Sequence, residues 1–183
     1  MAPDEVDRVA GLSLAAYRAL PGQALSDDYA HELSDVATRA AAALVLVAVS
    51  GGEVRGAVTY VDDVSSPYAE RLVDGEVGLR MLAVDPPAQG QGIGAVLLGE
   101  CIERARRAGA VRLVLHSTPW MTVAHRLYAR LGFRRAPARD LDVGPALHLL
   151  AFTLDLAPGG DPGTGATVAP PGPGGGTGQT RGA

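Results

Sequence analysis

The chain has 183 residues, 47% of them hydrophobic, and a formal net charge of -4, values typical of one soluble domain with a single core. The negative charge gives no reason to expect a nucleic-acid partner, and no apolar run is long enough to span a bilayer. The only cysteine, Cys101, excludes an internal disulfide, and the acidic start of the chain does not resemble a signal peptide. These features predict a cytoplasmic protein that binds neither nucleic acid nor membranes.

Two helices and a hairpin are predicted in the first third of the chain. Apolar residues recur there at helical spacing in two runs, the first capped by Asp4 and the second by a residue of Ser26-Asp27-Asp28. Two apolar strands then flank a Gly-Gly turn. The predicted ranges are 4–17, 29–40, 44–49 and 54–61.

The next hundred residues alternate between strands and helices. A strand, a helix and a second strand form a crossover unit, which is followed by a helix and two late strands. This order predicts an α/β (α+β) fold with a mixed, mostly antiparallel central sheet covered by helices on both faces. The predicted ranges are 76–84, 92–108, 111–116, 121–131, 133–135 and 147–154.

The composition changes at residue 157. The segment 157–183 is rich in glycine and proline and has no large apolar residue beyond Val168. Such a segment cannot bury enough apolar surface to offset the entropy lost on ordering. We therefore expect a domain at 1–156 and a disordered tail at 157–183.

A glycine-dense loop, 85–95, joins the strand at 76–84 to the following helix. Glycine lets a backbone approach a ligand closely, and the first amides of a helix have no intrahelical partner. These amides also lie at the positive end of the helix dipole, so the loop predicts a site for phosphate or diphosphate.

Three kinds of phosphate loop were compared with this segment. A P-loop requires a lysine, and the chain contains none. A dinucleotide fingerprint is matched by Gly90, Gly92 and Ala95, but four residues separate these glycines from the strand, and the next strand ends without an acidic residue. Function as a nicotinamide-dependent oxidoreductase therefore remains an alternative that is supported only by a loose match to this fingerprint. The third pattern, Gln-x-x-Gly-x-Gly, is matched by Gln89, Gly92 and Gly94.

This third pattern and its flanks resemble the GNAT superfamily of acyl-CoA-dependent N-acyltransferases. The segment 80–86 is similar to the family's fourth strand and its exit, and 124–133 is similar to its A-x-x-L-Y-x-x-x-G-F helix. The resemblance covers about 76–133 and implies transfer of an acetyl group from acetyl-CoA to a primary amine, by direct attack in a ternary complex. Two features depart from the family: Met121 stands where many relatives carry asparagine, and the family's short first strand is either missing or reduced to Met1–Pro3.

The resemblance also implies how acetyl-CoA binds. The strand edge would hold the pantetheine arm, a bulge would aim the Leu82 amide at the thioester oxygen, and the loop amides would hold the diphosphate. The residues implied are Leu82, Ala83, Val84, Gln89, Gly90, Gln91, Gly92, Ile93, Gly94 and Ala95.

The catalytic roles are assigned less completely. The resemblance implies Tyr128 as the acid that protonates the departing thiolate. The base stays open between Glu76, which a period of two places on the same face as Leu82, His116 at the end of the next strand, and a chain of waters. Cys101 is expected in the core, and no metal is expected because His31, His125 and His148 do not cluster with other ligand types.

The acceptor is expected to bind segments outside the shared core. These are Leu20–Asp28, Asp62–Asp74 and Ala136–Pro145, whose acidic residues suit a cationic amine or are simply solvated. Tyr68 and Trp120 either line the acceptor pocket or pack. The expected partner is a small-molecule or peptide amine, and the resemblance leaves a homodimer open. A non-catalytic acyl-CoA sensor is the alternative function.

Overall fold

The computed structural model describes residues 3–20, 25–143 and 147–156, and these form five α-helices and seven β-strands. The predicted tail, 157–183, lies outside the described residues. The helices are α1 (Pro3–Arg18), α2 (Asp27–Ser34), α3 (Val36–Ala42), α4 (Ile93–Arg107) and α5 (Thr122–Arg130). The strands are β1 (Leu44–Ser50), β2 (Glu53–Val61), β3 (Glu76–Val84), β4 (Arg112–Ser117), β5 (Arg134–Arg135), β6 (Leu141–Val143) and β7 (Leu147–Asp155).

The strands form one sheet in the order β1-β2-β3-β4-β7-β5, and β6 pairs with β7. Only β3 and β4 run parallel, joined by the crossover through α4, and the other pairs are antiparallel. The predicted mixed, mostly antiparallel sheet is therefore confirmed. The dinucleotide-binding interpretation is wrong, because that fold requires a mostly parallel sheet.

Helices cover both faces of this sheet, as predicted. On one face, α1 packs on β2 and β3 through an apolar cluster that includes Val9 and Leu12. On the other face, α4 buries Leu97, Leu98 and Cys101 against the sheet. Among the described residues, no helix combines the length and the apolarity that crossing a bilayer requires.

Three local expectations were wrong. The run at 29–40 is two helices, because Asp35 leaves helical geometry (ψ 64°) and its carboxylate then caps α3 by accepting from the Thr38 amide. The first helix begins at Pro3, so Asp4 lies in its first turn. The short strand β6 was not predicted. In the part of the chain that is described, no strand precedes α1.

A β-bulge interrupts β3. The strand pairs with β2 at Thr59↔Arg80 and again at Ala57↔Ala83. Between these two pairs, β3 has one residue more than β2. Within this interval Met81 has a φ of 52°, a left-handed conformation that is uncommon outside glycine. The predicted bulge is thus present, and it is centred on Met81 and the residue after it.

The bulge changes which side chains of β3 share a face. Leu79 and Leu82 both pack against the core beneath α4, although they are three positions apart. Glu76, which an uninterrupted period of two places with Leu82, therefore lies on the opposite face. The expected shared face for Glu76 and Leu82 is wrong because the inserted residue resets the alternation.

The parallel strands β3 and β4 separate beyond the middle of the sheet. Their pairing ends at Leu79↔Leu115. Farther along, β4 pairs only with β7, as far as Ser117↔Leu150, and β3 pairs only with β2. The edge of β3 from residue 81 onward therefore faces a gap in the sheet and has no strand partner on that side.

Candidate active site

The gap between β3 and β4 opens into a small cleft. It brings together three of the predicted site residues, Leu82, His116 and Tyr128, and it does not include Glu76. The residues that line it are Tyr17, Leu79, Arg80, Met81, Leu82, Leu98, Leu115, His116, Met121 and Tyr128.

A second, smaller cavity adjoins the first and shares Leu79, Arg80 and His116 with it. Tyr68 and Glu70, from the loop between β2 and β3, form its outer side. This loop was one of the segments expected to bind the acceptor. Trp120, the other predicted aromatic, lines neither of these two cavities.

The loop before α4 is built on glycines that packing does not require. Gly90 and Gly92 have φ values of 79° and 83°, and a Cβ added to either would meet no heavy atom within 4 Å. Both positions therefore face open space and need glycine for their backbone conformation. Gly94 differs, because its Cβ would lie 3.2 Å from Leu127, so there the helices approach closely.

The amides at the start of α4 are the donors that this loop offers. Gly92 is the N-cap and supplies no side-chain acceptor for them. The glutamine side chains turn back onto the loop: Gln89 Nε2 donates to the Val84 carbonyl at 3.2 Å, and Gln91 Nε2 donates to the Pro87 carbonyl at 3.3 Å. The glutamines brace the loop, and its anion-binding capacity lies in its backbone.

Tyr128 of α5 borders the cleft with its ring in the core. Its ring centroid lies 6.1 Å from that of Phe133 and 5.5 Å from that of Phe152, and the residue is 4% exposed. Burial raises the pKa of Tyr128 well above its ordinary value, although a hydrogen bond with Ser117 opposes the rise. The hydroxyl therefore stays protonated and can act as a hydrogen-bond or proton donor.

His116 lies at the junction of the two cavities. Its Nε2 is 3.0 Å from the Arg139 carbonyl oxygen, and its Nδ1 is 3.7 Å from Glu70 Oε2. Burial lowers the pKa of His116 below its ordinary value, against the opposing effects of that hydrogen bond and of the Glu70 carboxylate. The imidazole is therefore neutral at pH 7 and carries a lone pair.

Arg80 fixes the carboxylate that faces His116. Its Nη2 lies 2.8 Å from Glu70 Oε1 and 3.6 Å from Glu32 Oε1 of α2, and its guanidinium stacks 5.7 Å from the centre of the Tyr68 ring. This arrangement ties the β2–β3 loop and α2 to the sheet on the side of the second cavity.

Glu76 is enclosed by cations. Arg139 donates to both of its carboxylate oxygens, at 2.5 and 2.7 Å, and Arg112 donates to Oε1 at 3.1 Å. The Val73 amide donates to Oε2 at 3.2 Å, and the residue is 2% exposed. The hydrogen bonds from Arg139 hold the pKa of Glu76 below its ordinary range. These contacts leave little lone-pair capacity for a substrate proton.

The remaining titratable candidates do not form a site. Cys101 is buried in α4, and desolvation raises the pKa of its thiol to about 12, which opposes thiolate formation. Over the described ranges, no group of three or more His, Cys, Asp and Glu side chains is arranged to hold a metal ion.

Comparison with known proteins identifies the family to which this chain belongs. The model of the acetyltransferase (GNAT) family matches residues 12–133. This chain belongs to the GNAT acetyltransferase family. It is therefore an acyltransferase, and the bulged β3, the glycine loop and Tyr128 all lie within the matched region.

Solved structures share the fold of this GNAT acetyltransferase. The structure of yncA from Salmonella typhimurium with its cofactor acetyl-CoA is 24% identical, with a TM-score of 0.61, 89% of this chain covered and 95% of that one. The PaiA N-acetyltransferase from Thermoplasma acidophilum in complex with coenzyme A is 12% identical, with a TM-score of 0.66 and coverages of 85% and 96%. The ribosomal-protein-S18-alanine N-acetyltransferase from Escherichia coli is 17% identical, with a TM-score of 0.61 and coverages of 92% and 96%. No curated protein matches the sequence.

Sequence reasoning missed the partners of His116 in this GNAT acetyltransferase. Glu70 was seen only as one acidic residue of a loop, and Arg139 was not singled out. Both lie far from His116 in sequence, and no local motif joins them. The one usable signal was that both belong to segments expected to surround the acceptor.

Proposed function

We propose that this protein transfers an acetyl group from acetyl-CoA to the primary amine of a small-molecule or peptide acceptor, by direct attack while both substrates are bound. The observation that carries the proposal is the single cleft where the unpaired edge of β3, His116 and Tyr128 meet. Two cavities that join at His116 support a complex in which the thioester and the amine enter from different sides.

The residues present fit acetyl-CoA. The exposed glycines and the uncapped start of α4 offer backbone amides to a diphosphate, with Gln89 to Ala95 as the binding segment. At Leu82, Ala83 and Val84, β3 has no strand partner on the side of β4 and offers hydrogen bonds to the amide-rich pantetheine arm, with the Val84 carbonyl shared with Gln89 Nε2. Acetyl-CoA, when bound, supplies the acetyl group as an activated thioester.

We assign the Leu82 amide to the thioester oxygen. The bulge at Met81 gives the backbone of β3 an orientation that a regular strand does not have, and Leu82 directly follows it in the cleft. A backbone N–H fixed in this way stabilises the negative charge that develops on the oxygen as the amine adds.

We assign the base role to His116 and not to Glu76. A neutral imidazole can accept the proton that an ammonium group must lose before its nitrogen attacks, whereas the lone pairs of Glu76 are occupied by arginines. The Glu70 carboxylate, 3.7 Å from Nδ1, stabilises the resulting imidazolium. His116 then releases this proton to solvent.

Tyr128 completes the reaction in this proposal. The new C–N bond forms as the C–S bond breaks, and the hydroxyl of Tyr128 donates its proton to the departing sulfur. The tyrosinate regains a proton from the acylated nitrogen, which loses its second proton in forming the amide. One proton is therefore released overall, through His116, and free thiol appears.

The test is an acceptor screen with detection of free thiol, run with acetyl-CoA beside a blank without acceptor. We expect thiol release that depends on the acceptor and is lost in His116→Gln. Thermal stabilisation that grows with acetyl-CoA concentration, without thiol release for any amine, would instead support the non-catalytic sensor. Absence of stabilisation would overturn both functions.

A further inference from the structure

The ring of His116 makes a hydrogen bond that fixes where its proton lies. Nε2 is 3.0 Å from the backbone carbonyl oxygen of Arg139, and a carbonyl oxygen can only accept. Nε2 must therefore carry the proton in this contact. A neutral imidazole has one protonated nitrogen, so the lone pair lies on Nδ1, the atom that faces Glu70.

The turn that carries this carbonyl is held by its own side chain. Arg139 ends a 3₁₀ turn, Pro137–Arg139, and its guanidinium donates to both oxygens of Glu76 and to the Arg71 carbonyl at 3.1 Å. Glu76 belongs to β3, so the ion pair attaches the turn to the central sheet.

The buried ion pair has a geometric consequence more than an energetic one. Glu76 is 2% exposed, and the desolvation of a buried carboxylate offsets much of its attraction to a cation. What the pair provides is orientation, because a bidentate guanidinium–carboxylate contact permits one geometry.

We infer that Arg139, held by Glu76, is a positioning residue that keeps His116 in its Nε2–H tautomer and presents Nδ1 as the proton acceptor. Three charged groups from the surrounding elements face the imidazole: Glu70 from the β2–β3 loop, Arg80 from β3 and Arg139 itself. Of these, only Glu70 is an anion near the ring, and it favours a proton on Nδ1. The Arg139 carbonyl opposes that preference. The inference rests on the proposed function only for the role that it gives to Nδ1.

The test is ¹⁵N NMR of the imidazoles in the full chain, at a pH above the pKa of His116, with His116→Gln to assign the signals. In the unaltered protein we expect the Nε2–H tautomer. In Arg139→Met the carbonyl is no longer held, so Glu70 draws the proton to Nδ1 and the two nitrogen shifts exchange. Arg139→Lys, which keeps one ion pair with Glu76, should restore most of the original pattern.

Arg112→Met is the matched control. Arg112 binds the same carboxylate but lies in β4, four residues before His116, and its second partner is Asp155 at the sheet end. It should leave the tautomer unchanged. If Arg139→Met does not fold, Glu76→Gln removes the same charge pair and should shift the tautomer in the same direction.

Kinetics provide a second readout. For Arg139→Met we expect kcat to fall about tenfold or more with the KM for acetyl-CoA unchanged, since proton removal is affected and cofactor binding is not. An unchanged Nε2–H tautomer in both Arg139→Met and Glu76→Gln would overturn the inference, as would an equal change in Arg112→Met. Full turnover by His116→Gln would overturn the proposed base, while the tautomer would still decide the present inference.

Discussion

At the scale of single residues, two buried tyrosines show that the position of a hydroxyl determines whether it can take part in the reaction or only packs in the core. Tyr60 and Tyr128 belong to the same core cluster. The Tyr60 hydroxyl has no hydrogen-bond partner among the described residues, and burial raises its pKa to about 12. Tyr128 instead borders the cleft and interacts with Ser117. The same desolvation thus acts on both, but of the two only Tyr128 lies beside the cleft.

We expect Tyr128→Phe to lower kcat by about a hundredfold, because general acid catalysis contributes at least that much, and to change the affinity for coenzyme A little. Steady-state kinetics and calorimetry measure the two effects. Tyr60→Phe is the matched control, since it removes a buried hydroxyl outside the cleft and should keep full turnover. Equal turnover of the two variants would remove Tyr128 from the acid role.

We expect Glu70→Gln to move the acidic limb of the kcat/KM profile to lower pH. In the proposed function the neutral imidazole of His116 is the active form, and the Glu70 carboxylate raises its pKa by favouring the imidazolium. Without that charge the pKa falls, so the active form persists at lower pH. Glu32→Gln, which removes the other carboxylate near Arg80, should leave the limb in place. If the acidic limb of the profile does not move in Glu70→Gln, a group other than His116 is responsible for it.

At the scale of elements, the loop and helix that follow β3 combine two requirements. Gly92 caps α4 in a left-handed conformation and faces open space, whereas Gly109 ends the same helix with a φ of 71° and also faces open space. Similar backbone geometry at the two ends serves different purposes, because only the amino-terminal end has free amides and a positive dipole.

We expect Gly92→Asp to weaken coenzyme A binding about a hundredfold or more while the fold survives, since a like charge beside the diphosphate costs several kcal/mol. Isothermal calorimetry measures the affinity. Gly92→Asn has the same shape without the charge and should bind much better, and Gly109→Asp places the charge at the distant end of α4. Unchanged affinity in Gly92→Asp would mean that the diphosphate lies elsewhere.

At the scale of the whole molecule, the cofactor loop is placed by the packing of α4 on the sheet. Gly56 of β2 lies at this contact: an added Cβ would lie 2.8 Å from Ile93 Cγ2 and 3.1 Å from the Ala83 carbonyl oxygen. Ile93 begins α4, and Ala83 belongs to the strand expected to hold the pantetheine arm. The absence of a side chain at Gly56 therefore sets the distance between these two parts of the site.

We expect Gly56→Ala to destabilise the fold by about 1–3 kcal/mol, the usual cost of overpacking, and to weaken cofactor binding by displacing α4. Thermal and denaturant unfolding measure the first effect. Gly99→Ala is the control, because a Cβ there meets nothing within 4 Å and alanine favours a helix by about 1 kcal/mol. An unfolding free energy for Gly56→Ala equal to that of the unaltered protein would show that α4 can shift without cost.

The sequence by itself determined the family, the glycine loop before α4 and the order of most of the elements. These are local properties: the apolar periodicity of α4, the glycines at 90 and 92, and the L-Y position at Tyr128 are each readable within a few residues. Within β3, periodicity failed at Met81, because a bulge is decided by pairing with β2 and not by the strand's own residues. The break between α2 and α3 at Asp35 was not predicted either. There the Asp35 side chain accepts a hydrogen bond from the Thr38 amide, and this cap competes with continuation of the helix.

Only the tertiary structure shows how the surroundings of the two candidate base residues differ. In the sequence, the base stayed open between Glu76, His116 and a chain of waters. Folding brings Arg139 onto Glu76 from 63 positions away and places Glu70 beside His116, so one group is occupied as a carboxylate and the other is kept neutral with a lone pair. The physical reason is that protonation depends on burial and on nearby charges, and those come from residues that are distant along the chain.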